Sequence, residues 1–260
     1  EPTAEADTPA AEADEAAQAE PTPPRAAPAS APNGPSDSSE AAPVSGRIVY
    51  PAFNPNIQSY DVWLADLATG EQTPIVGNAS QPNFNQDGSL LAYRSWDLGT
   101  RGIFFRDFVG GRSGRVTNFV EDGLPAWSPD GSSFVFSSRK EGDRVPRIYL
   151  GDQTGEDNIS LNFQGEYPDV FPDGRVISRG CTPAGDCGVF IIGPRGGVDR
   201  KVSQETADTA PAVSPDGSKI AFMSSSRGSR NWEIWLMDAN GENATRLTDN
   251  NNNDGLPSWS

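Results

Sequence analysis

Four carboxylates occupy a recurring position in this chain, and their spacing suggests a cation-binding or catalytic site. Asp122, Asp208 and Asp254 each lie three residues before a proline, and Glu166 lies two residues before one. A ring of carboxylates offers oxygen ligands to Ca²⁺, which takes roughly six or more, or the acid and base of a glycosidase. Alternatively, each acid caps a turn or pairs with an arginine, which repetition favours because an active site needs to occur only once. The arginines placed to pair with them are Arg139, Arg179 and Arg227.

Composition excludes most other catalytic sites. The 260-residue chain contains no histidine, which removes Ser-His-Asp and Cys-His catalysis and every histidine metal site. It also lacks a Gly-x-Ser-x-Gly nucleophile elbow, a phosphate loop and a dinucleotide fingerprint. We therefore predict a chain that is not an enzyme and that holds no cofactor and no metal ion. A carboxylate pair and a cation site are the two alternatives that survive.

The elements that position these carboxylates repeat every 43 residues. The recurring pairs are Asp87-Gly88, Asp130-Gly131, Asp173-Gly174 and Asp216-Gly217, and the recurring prolines are Pro82, Pro125, Pro168 and Pro211. A period of about 40 to 45 residues is the length of one four-stranded propeller blade. No segment after residue 46 keeps a helical apolar period, whereas turn residues recur at short intervals. The sequence thus predicts an all-β propeller of four-stranded antiparallel blades.

Each repeat is predicted to contain a proline-bearing first strand, a tight turn at the Asp-Gly pair, an alternating second strand, an apolar third strand and a short fourth strand. The turn acids are interpreted as turn chemistry. The third-strand aromatics are predicted to pack between blades rather than to form a sugar platform; they are Trp63, Phe104, Tyr149, Phe190 and Trp235.

The strand balance predicts how the propeller closes. Each strand type occurs five times, the chain enters at a second strand and it leaves after a first strand. Leu256 to Ser260 is therefore expected to pair with Gly46 to Pro51, which would close five blades into a ring without open sheet edges. A ring of six or seven blades, of which these are a part, is the alternative.

The first 45 residues differ in composition from the rest. They are rich in Ala, Pro and Glu, contain no aromatic residue, and carry nine acids and one base. Such a segment buries too little apolar surface to offset the entropy of ordering. We predict a disordered acidic linker over residues 1–45 and one propeller domain over 46–260.

Charge and hydropathy limit the partners. The net charge of −16 argues against nucleic acid, and no apolar run approaches the roughly 20 residues of a membrane span. The chain begins at Glu1 rather than Met, as a mature form or an excised fragment does, so an upstream membrane anchor is an open alternative.

Cys181 and Cys187 flank a Pro- and Gly-containing turn between two apolar runs, and we predict a disulfide across this hairpin. Together with the Ala/Pro/Glu-rich linker, it favours an extracytoplasmic location.

Three segments carry a family resemblance. They are Leu124 to Arg139 (LPAWSPDGSSFVFSSR), Ala210 to Ser224 (APAVSPDGSKIAFMS) and Trp232 to Thr248. Together they resemble the WD-repeat-like propeller repeats of the TolB C-terminal domain, over about residues 46–260. The fourth repeat departs from the pattern, because Phe171 replaces the serine before Pro-Asp-Gly and Gly193 replaces a turn aspartate. The resemblance implies a propeller fold. For function it implies a periplasmic interaction platform, a sensor domain, or the propeller of a prolyl-oligopeptidase-like peptidase.

The long loops between second and third strands differ from repeat to repeat, and variable loops on a rigid scaffold are a usual place for binding. Our prediction is a non-catalytic extracytoplasmic module that binds or senses a protein or a glycan, tethered by the linker. The alternative is a carboxylate glycosidase, or the propeller of a peptidase whose catalytic domain is absent. The candidate binding face comprises Arg139, Arg144, Arg227, Asp122, Glu166, Asp208 and Asp254.

Overall fold

The computed structural model describes residues 45–259, except 157, 204, 229 and 230. Within this part of the chain all regular secondary structure is β-strand, as predicted. The same part contains no helix long and apolar enough to cross a membrane. The predicted linker, apart from Ser45, lies outside the described residues.

The strands follow the repeat, and we number the repeats 1 to 5 in chain order. Repeat 1 contains β1 (Arg47–Asn54), β2 (Ser59–Asp66) and β3 (Gln72–Val76). Repeat 2 contains β4 (Ala79–Phe84), β5 (Leu90–Ser95), β6 (Gly102–Asp107) and β7 (Ser113–Arg115). Repeat 3 contains β8 (Gly123–Trp127), β9 (Phe134–Ser138), β10 (Arg147–Gly151) and the first part of β11 (Ile159–Val170). Repeat 4 contains the rest of β11, β12 (Val176–Cys181), β13 (Cys187–Ile192) and β14 (Val198–Lys201). Repeat 5 contains β15 (Thr209–Val213), β16 (Lys219–Ser224), β17 (Glu233–Asp238) and β18 (Thr245–Arg246).

Neighbouring strands pair antiparallel in chain order. The sheets contain β1 to β3, β4 to β7, β8 to β14 and β15 to β18. The seven-stranded sheet joins repeats 3 and 4, because β11 is both the outer strand of one and the inner strand of the next. Cys181 and Cys187 lie opposite each other on β12 and β13. They form the predicted disulfide.

The Asp-Gly turns have the predicted chemistry. In repeat 3 the Asp130 carboxylate accepts hydrogen bonds from the Ser128 hydroxyl at 2.6 Å and from the Ser132 N–H at 3.0 Å. Gly131 follows with a left-handed φ of 69°, which glycine adopts without steric cost. In repeat 5, hydrogen bonds from the Ser214 hydroxyl and from other groups of the turn lower the pKa of the equivalent Asp216 to about 2. These acids therefore hold turns.

The inner strand of each of repeats 2 to 5 is kinked at its proline. The residue before the proline has a left-handed φ at Gln81 (55°), Leu124 (54°), Tyr167 (55°) and Ala210 (47°). The register with the second strand shifts at the same point, because proline has no N–H to give to the ladder. The kink thus separates the paired part of each inner strand from the segment that carries the candidate carboxylates.

The core consists of apolar clusters between consecutive repeats. Repeats 2 and 3, for example, share a cluster in which Trp127, Phe136 and Tyr149 are buried. Similar clusters join repeats 1 and 2, 3 and 4, and 4 and 5. The prediction that third-strand aromatics pack between blades is confirmed at Tyr149 and Phe190, which are buried in these clusters.

The predicted closing pair is not formed, and this prediction was wrong. β1 pairs with β2 alone, and residues 247–259 contain no strand. Instead, the Asp254 N–H donates to the Trp232 carbonyl at 2.8 Å, and the Trp259 indole N–H donates to the Ala212 carbonyl at 3.0 Å. The segment is thereby held against repeat 5 rather than β1. The number of blades in the ring stays a prediction.

Candidate functional site

The four candidate carboxylates lie at the same end of their repeats. Asp122 directly precedes β8, and Asp208 directly precedes β15. Glu166 lies in β11 opposite Arg179 of β12. Asp254 lies two residues before Leu256, which has the left-handed φ of an inner-strand kink, 54°. The inner-strand kinks therefore place them at equivalent points of the scaffold.

Asp208 is engaged within the fold. It is fully buried, and the Arg227 guanidinium donates from Nε to both carboxylate oxygens at 3.1 and 3.2 Å and from Nη2 at 2.6 Å. The Ser203 hydroxyl also donates to it. Arg227 lies over the rings of Phe222 and Trp235. Removing Arg227 would leave a buried carboxylate without a cation, so Arg227 stabilises the fold of repeat 5.

The other predicted residues have weaker or local contacts. The Arg139 guanidinium forms an ion pair with Glu166, which links repeats 3 and 4. Asp254 accepts a hydrogen bond from the Asn250 amide at 2.5 Å. Arg144 is exposed in the loop before β10. Two of the arginines named as structural partners, Arg139 and Arg227, thus do pair with ring acids.

Asp122 is a buried carboxylate that has no arginine at ion-pair distance among the described residues. One oxygen accepts the Phe119 N–H at 3.3 Å, and Oδ1 has no partner among the described residues. Burial raises the pKa of Asp122. Arg227 lies three residues past the end of β16. The equivalent position, three residues past the end of β9, is Glu141, whose carboxylate accepts a hydrogen bond from the Tyr149 hydroxyl. Repeat 3 therefore lacks the arginine that neutralises the acid of repeat 5.

Two of the four candidate acids are not available for a glycosidase pair. Glu166 and Asp208 are bound by arginines, and the other two acids each accept a hydrogen bond from a neighbour. A glycosidase needs two available carboxylates about 5 to 9.5 Å apart. Within the described residues, no three acidic or cysteine side chains converge as a metal-binding cluster.

Arg94 and Trp96 form a platform that sequence reasoning missed. The Arg94 guanidinium lies 3.9 Å from the Trp96 ring centre, and its Nη2 donates to the Val120 carbonyl at 2.9 Å. Its Nε is buried without a partner among the described residues. Burial lowers the pKa of Arg94, and repulsion from Arg101 adds to this. The sequence signal was available, since Arg94 near the end of β5 and Trp96 directly after it are two positions apart, and residues two apart in an extended chain lie on the same face.

Arg94 belongs to a connected set of cations that we call the basic face: Arg94, Arg101, Arg115, Arg139 and Lys140. Repulsion from Arg139 also lowers the pKa of Arg94. Arg115 donates to the Arg101 carbonyl. With Lys140, it lines a cavity of about 380 Å³ between repeats 2 and 3. Among the described residues, Arg139 has an acidic partner at ion-pair distance and the other four have none.

Proteins of known sequence and structure resemble this chain. An uncharacterized protein of Agrobacterium fabrum, Atu1656, is 28% identical over 188 residues, which cover 67% of this chain and 64% of that protein. A TolB homolog of Chlorobium chlorochromatii is 29% identical over 140 residues, 53% of this chain and 31% of the homolog. The chain thus spans about one third to two thirds of the length of the curated relatives it matches.

Comparison of structures gives the same fold. The crystal structure of TolB from Acinetobacter baumannii matches with a TM-score of 0.70 at 24% identity, over 82% of this chain and 55% of that one. A protease and a lyase are also among the solved structures with this fold. A family model described as TolB beta propeller domain matches residues 30–260. The match begins within the predicted linker, and the domain boundary at residue 46 stays a prediction. This chain is a member of the TolB β-propeller domain family.

Proposed function

We propose that this chain is a non-catalytic, extracytoplasmic propeller that binds an acidic surface of a protein partner through the basic face. The observation that carries the proposal is the clustering of five cations, four of which have no acid at ion-pair distance among the described residues, on a chain of net charge −16. Complementary charge steers association and fixes register.

The state of Arg94 supports an anionic group in the partner. The Arg94 guanidinium is partly desolvated, and attraction to Asp122 and Glu121 offsets only part of this cost, because the pKa of Arg94 is still lowered; a further carboxylate would stabilise it. Trp96, stacked on Arg94, adds flat apolar area beside the charge. Arginine and tryptophan are enriched among the residues that contribute most to protein interfaces. A protein partner with carboxylates beside an apolar group fits this combination.

Of the residues predicted from sequence, Arg139 lies in the basic face, and Arg144 lies in the loop that follows it. Arg227 and Asp208 serve the fold of repeat 5, as their buried ion pair indicates. Asp122 and Glu166 border the face as acids, and Asp254 lies against repeat 5. We propose that Asp122 and Glu166 contribute orientation, through Glu166 holding Arg139, rather than direct partner contact.

Two observations support an extracytoplasmic location. The Cys181–Cys187 disulfide persists in oxidising compartments and is rare in the cytosol. Membership of the TolB family, which includes periplasmic interaction platforms, agrees with this. Residues 1–45 would then act as a tether, in line with their composition.

The test identifies the partner and then measures its affinity. A photo-crosslinker at Arg101 in the source cells captures the partner, and its dissociation constant is measured for the wild type and for the combined variant Arg101→Glu, Arg115→Glu and Lys140→Glu. The matched control carries the same change in charge at exposed positions elsewhere: Arg112→Glu, Arg195→Glu and Arg200→Glu.

We expect the basic-face variant to bind about 100-fold more weakly, from roughly 1 kcal/mol per reversed charge, and the control to bind within about threefold of the wild type. Equal weakening by both variants would show that net charge alone is responsible and would reject the basic face. Capture of a glycan, or turnover of an oligosaccharide or peptide by the purified chain, would reject a non-catalytic protein-binding role.

A further inference from the structure

The turns between third and fourth strands close the junctions between repeats 2 and 3, 3 and 4, and 4 and 5. Gly155, Gly196 and Gly241 occupy the same position in these turns, and each N–H donates to the carbonyl three residues earlier. A Cβ at any of the three would lie no more than 2.8 Å from a carbonyl oxygen of the preceding repeat's outer strand or of the residue after it. Each of these turns therefore lies directly against the repeat before it.

The turn of repeat 2 does not make this contact. It is one residue longer, since the Gly111 N–H donates to the Asp107 carbonyl four residues earlier. A Cβ at Gly111 would meet no atom within 4 Å. The junction between repeats 1 and 2 is spanned here by a side chain, because Arg106 Nη1 donates to the Ile75 carbonyl of β3 at 2.9 Å. Beside that link lies a cleft of about 400 Å³.

The cleft combines apolar walls with positive charge. Its apolar walls come from Ile75, Val76, Phe108 and the ring of Tyr93, and its positive charge comes from Arg106 and Arg112. The Asp107 carboxylate, which also lines the cleft, is bound by the Val109 and Gly110 N–H groups and by Arg112. Binding sites for small organic molecules typically have apolar walls and a few placed polar groups.

The Arg106 guanidinium is fixed in position and retains donors for a ligand. Its carbon lies 5.0 Å from the Phe108 ring centre, and the bond to Ile75 holds Nη1. Within the described residues its side chain makes no other hydrogen bond and has no acid at ion-pair distance. Nε and Nη2 can therefore donate to a carboxylate, which is the acceptor that arginine binds most strongly together with phosphate.

The Tyr93 hydroxyl is a second donor in the same cleft. Burial raises the pKa of Tyr93, and the charge of the neighbouring Arg106 opposes part of this rise. The hydroxyl is thus protonated at neutral pH. In the part of the chain that the structure describes, the Tyr50 and Tyr149 hydroxyls donate to other side chains, whereas the Tyr93 hydroxyl has no hydrogen-bond partner.

Repeat 4 contains a similar arginine that is already neutralised. The Arg175 guanidinium carbon lies 5.1 Å from the Phe171 ring centre, much as Arg106 lies over Phe108. Arg175 pairs with Asp173 at 2.8 Å and with Asp199 at 3.4 Å. Arg106 has the aromatic contact without the acids, so an anion from outside the described residues would complete its environment.

We infer that this cleft binds an organic carboxylate carried on a compact apolar or aromatic body. The carboxylate accepts hydrogen bonds from Arg106 and from the Tyr93 hydroxyl, and the body lies against Ile75, Val76 and Phe108. A free organic acid and the C-terminal residue of a peptide share this chemistry. The cleft contains none of the residues of the basic face, so the inference does not depend on the proposed function.

Titration followed by amide NMR tests the cleft, with the signals of Val76, Gly111 and Ser113 as reporters. Phenylacetate carries both the charge and the apolar body, phenylethanol carries the body alone, and acetate carries the charge alone. N-acetylphenylalanine and its amide form the pair that represents a peptide end. Each compound is titrated into the wild type and into Arg106→Met, Tyr93→Phe and the matched control Arg175→Met.

We expect phenylacetate to shift the three reporter signals with a dissociation constant of roughly 1 mM, and phenylethanol and acetate to bind about tenfold more weakly or less. Arg106→Met should weaken phenylacetate binding about tenfold, Tyr93→Phe about threefold, and Arg175→Met less than about twofold. If Arg106→Met does not fold, Tyr93→Phe, which keeps the ring, decides. N-acetylphenylalanine binding more tightly than phenylacetate, with its amide inactive, would identify a peptide end as the source, and the opposite order would identify a free acid.

Three results would overturn the inference. The first is that neither acid shifts the reporter signals. The second is that phenylethanol binds as tightly as phenylacetate, which would show that the carboxylate is not recognised. The third is that Tyr93→Phe and Arg175→Met have the same effect on the dissociation constant, which would place the ligand outside the cleft.

Discussion

Asp169 of β11 links repeats 4 and 5 by a hydrogen bond, and its negative charge lowers the free energy of unfolding. Its carboxylate accepts the Val213 N–H of β15 at 2.7 Å and the Val170 N–H at 2.9 Å. In repeat 2 the Asn83 amide oxygen makes the equivalent bond to the Trp127 N–H at 3.0 Å. A neutral side chain thus makes the same link between repeats 2 and 3, so the charge of Asp169 is not required for the link between repeats 4 and 5.

Burial raises the pKa of Asp169 from 3.8 to about 6. The folded chain therefore binds this proton more tightly than the unfolded chain, and the free energy of unfolding falls as the pH rises from about 4 to about 6. A difference of roughly two pKa units corresponds to about 3 kcal/mol. We take this as the upper limit, because part of Asp169 contacts solvent.

The perturbation is Asp169→Asn, followed by urea unfolding at pH 4, 5, 6, 7 and 8. The variant keeps an oxygen for the Val213 N–H and loses about 1 kcal/mol with the second hydrogen bond. At pH 7 it should be more stable than the wild type by about 1 to 2 kcal/mol, and at pH 4 it should be equal or less stable. The reciprocal variant Asn83→Asp should lose stability as the pH rises.

The difference between the wild-type and Asp169→Asn curves removes the contribution of other carboxylates such as Asp122. Since the chain contains no histidine, few groups other than buried carboxylates titrate in this window. Parallel curves for the wild type and Asp169→Asn between pH 4 and 7 would refute the reasoning, as would a variant that is less stable at every pH.

Two further predictions concern stability and use matched controls. Arg227→Met leaves the buried Asp208 without its cation and should lower the free energy of unfolding by about 3 to 5 kcal/mol, whereas Arg144→Met should change it by less than about 0.5 kcal/mol; similar urea midpoints for the two would contradict the buried ion pair. Gly241→Ala places a Cβ 2.3 Å from the Val202 carbonyl oxygen at a φ of 89°, whereas Gly70→Ala has a φ of 73° and open space around the new Cβ. Gly241→Ala should therefore lower the melting temperature by several degrees more than Gly70→Ala. Equal shifts in a thermal melt would show that Gly241 is not a contact between repeats.

The sequence was most informative where local chemistry alone determines structure. The Asp-Gly turns and the kink prolines predicted the repeats, because turn geometry depends on a few neighbouring residues. The Cys181–Cys187 disulfide followed from a hairpin for the same reason. The continuity of β11 was not predictable, since no turn residue distinguishes a strand that ends from one that passes into the next sheet.

Long-range features were harder to predict. The closing pair failed because strand counting carries no information on the distance between β1 and residues 254–259. Arg227 was predicted on the candidate binding face, with pairing to an acid as the alternative; it pairs with Asp208, whose burial depends on how repeats pack and could not be predicted. The basic face was found in part, through Arg139, since the loop arginines were visible in the sequence and their convergence with Lys140 and Trp96 was not.

The central claim is that a protein partner binds the basic face, and hydrogen exchange of the complex with the captured partner tests it most directly. Backbone amides in the loops around Trp96 to Arg101, Thr117 to Asp122 and Arg139 to Arg144 should be protected on binding, because these loops carry the face. The turns at Asp66 to Gly70, Asp107 to Gly111 and Asp238 to Gly241 should exchange at unchanged rates. Protection confined to those turns, with the loops unaffected, would contradict the account.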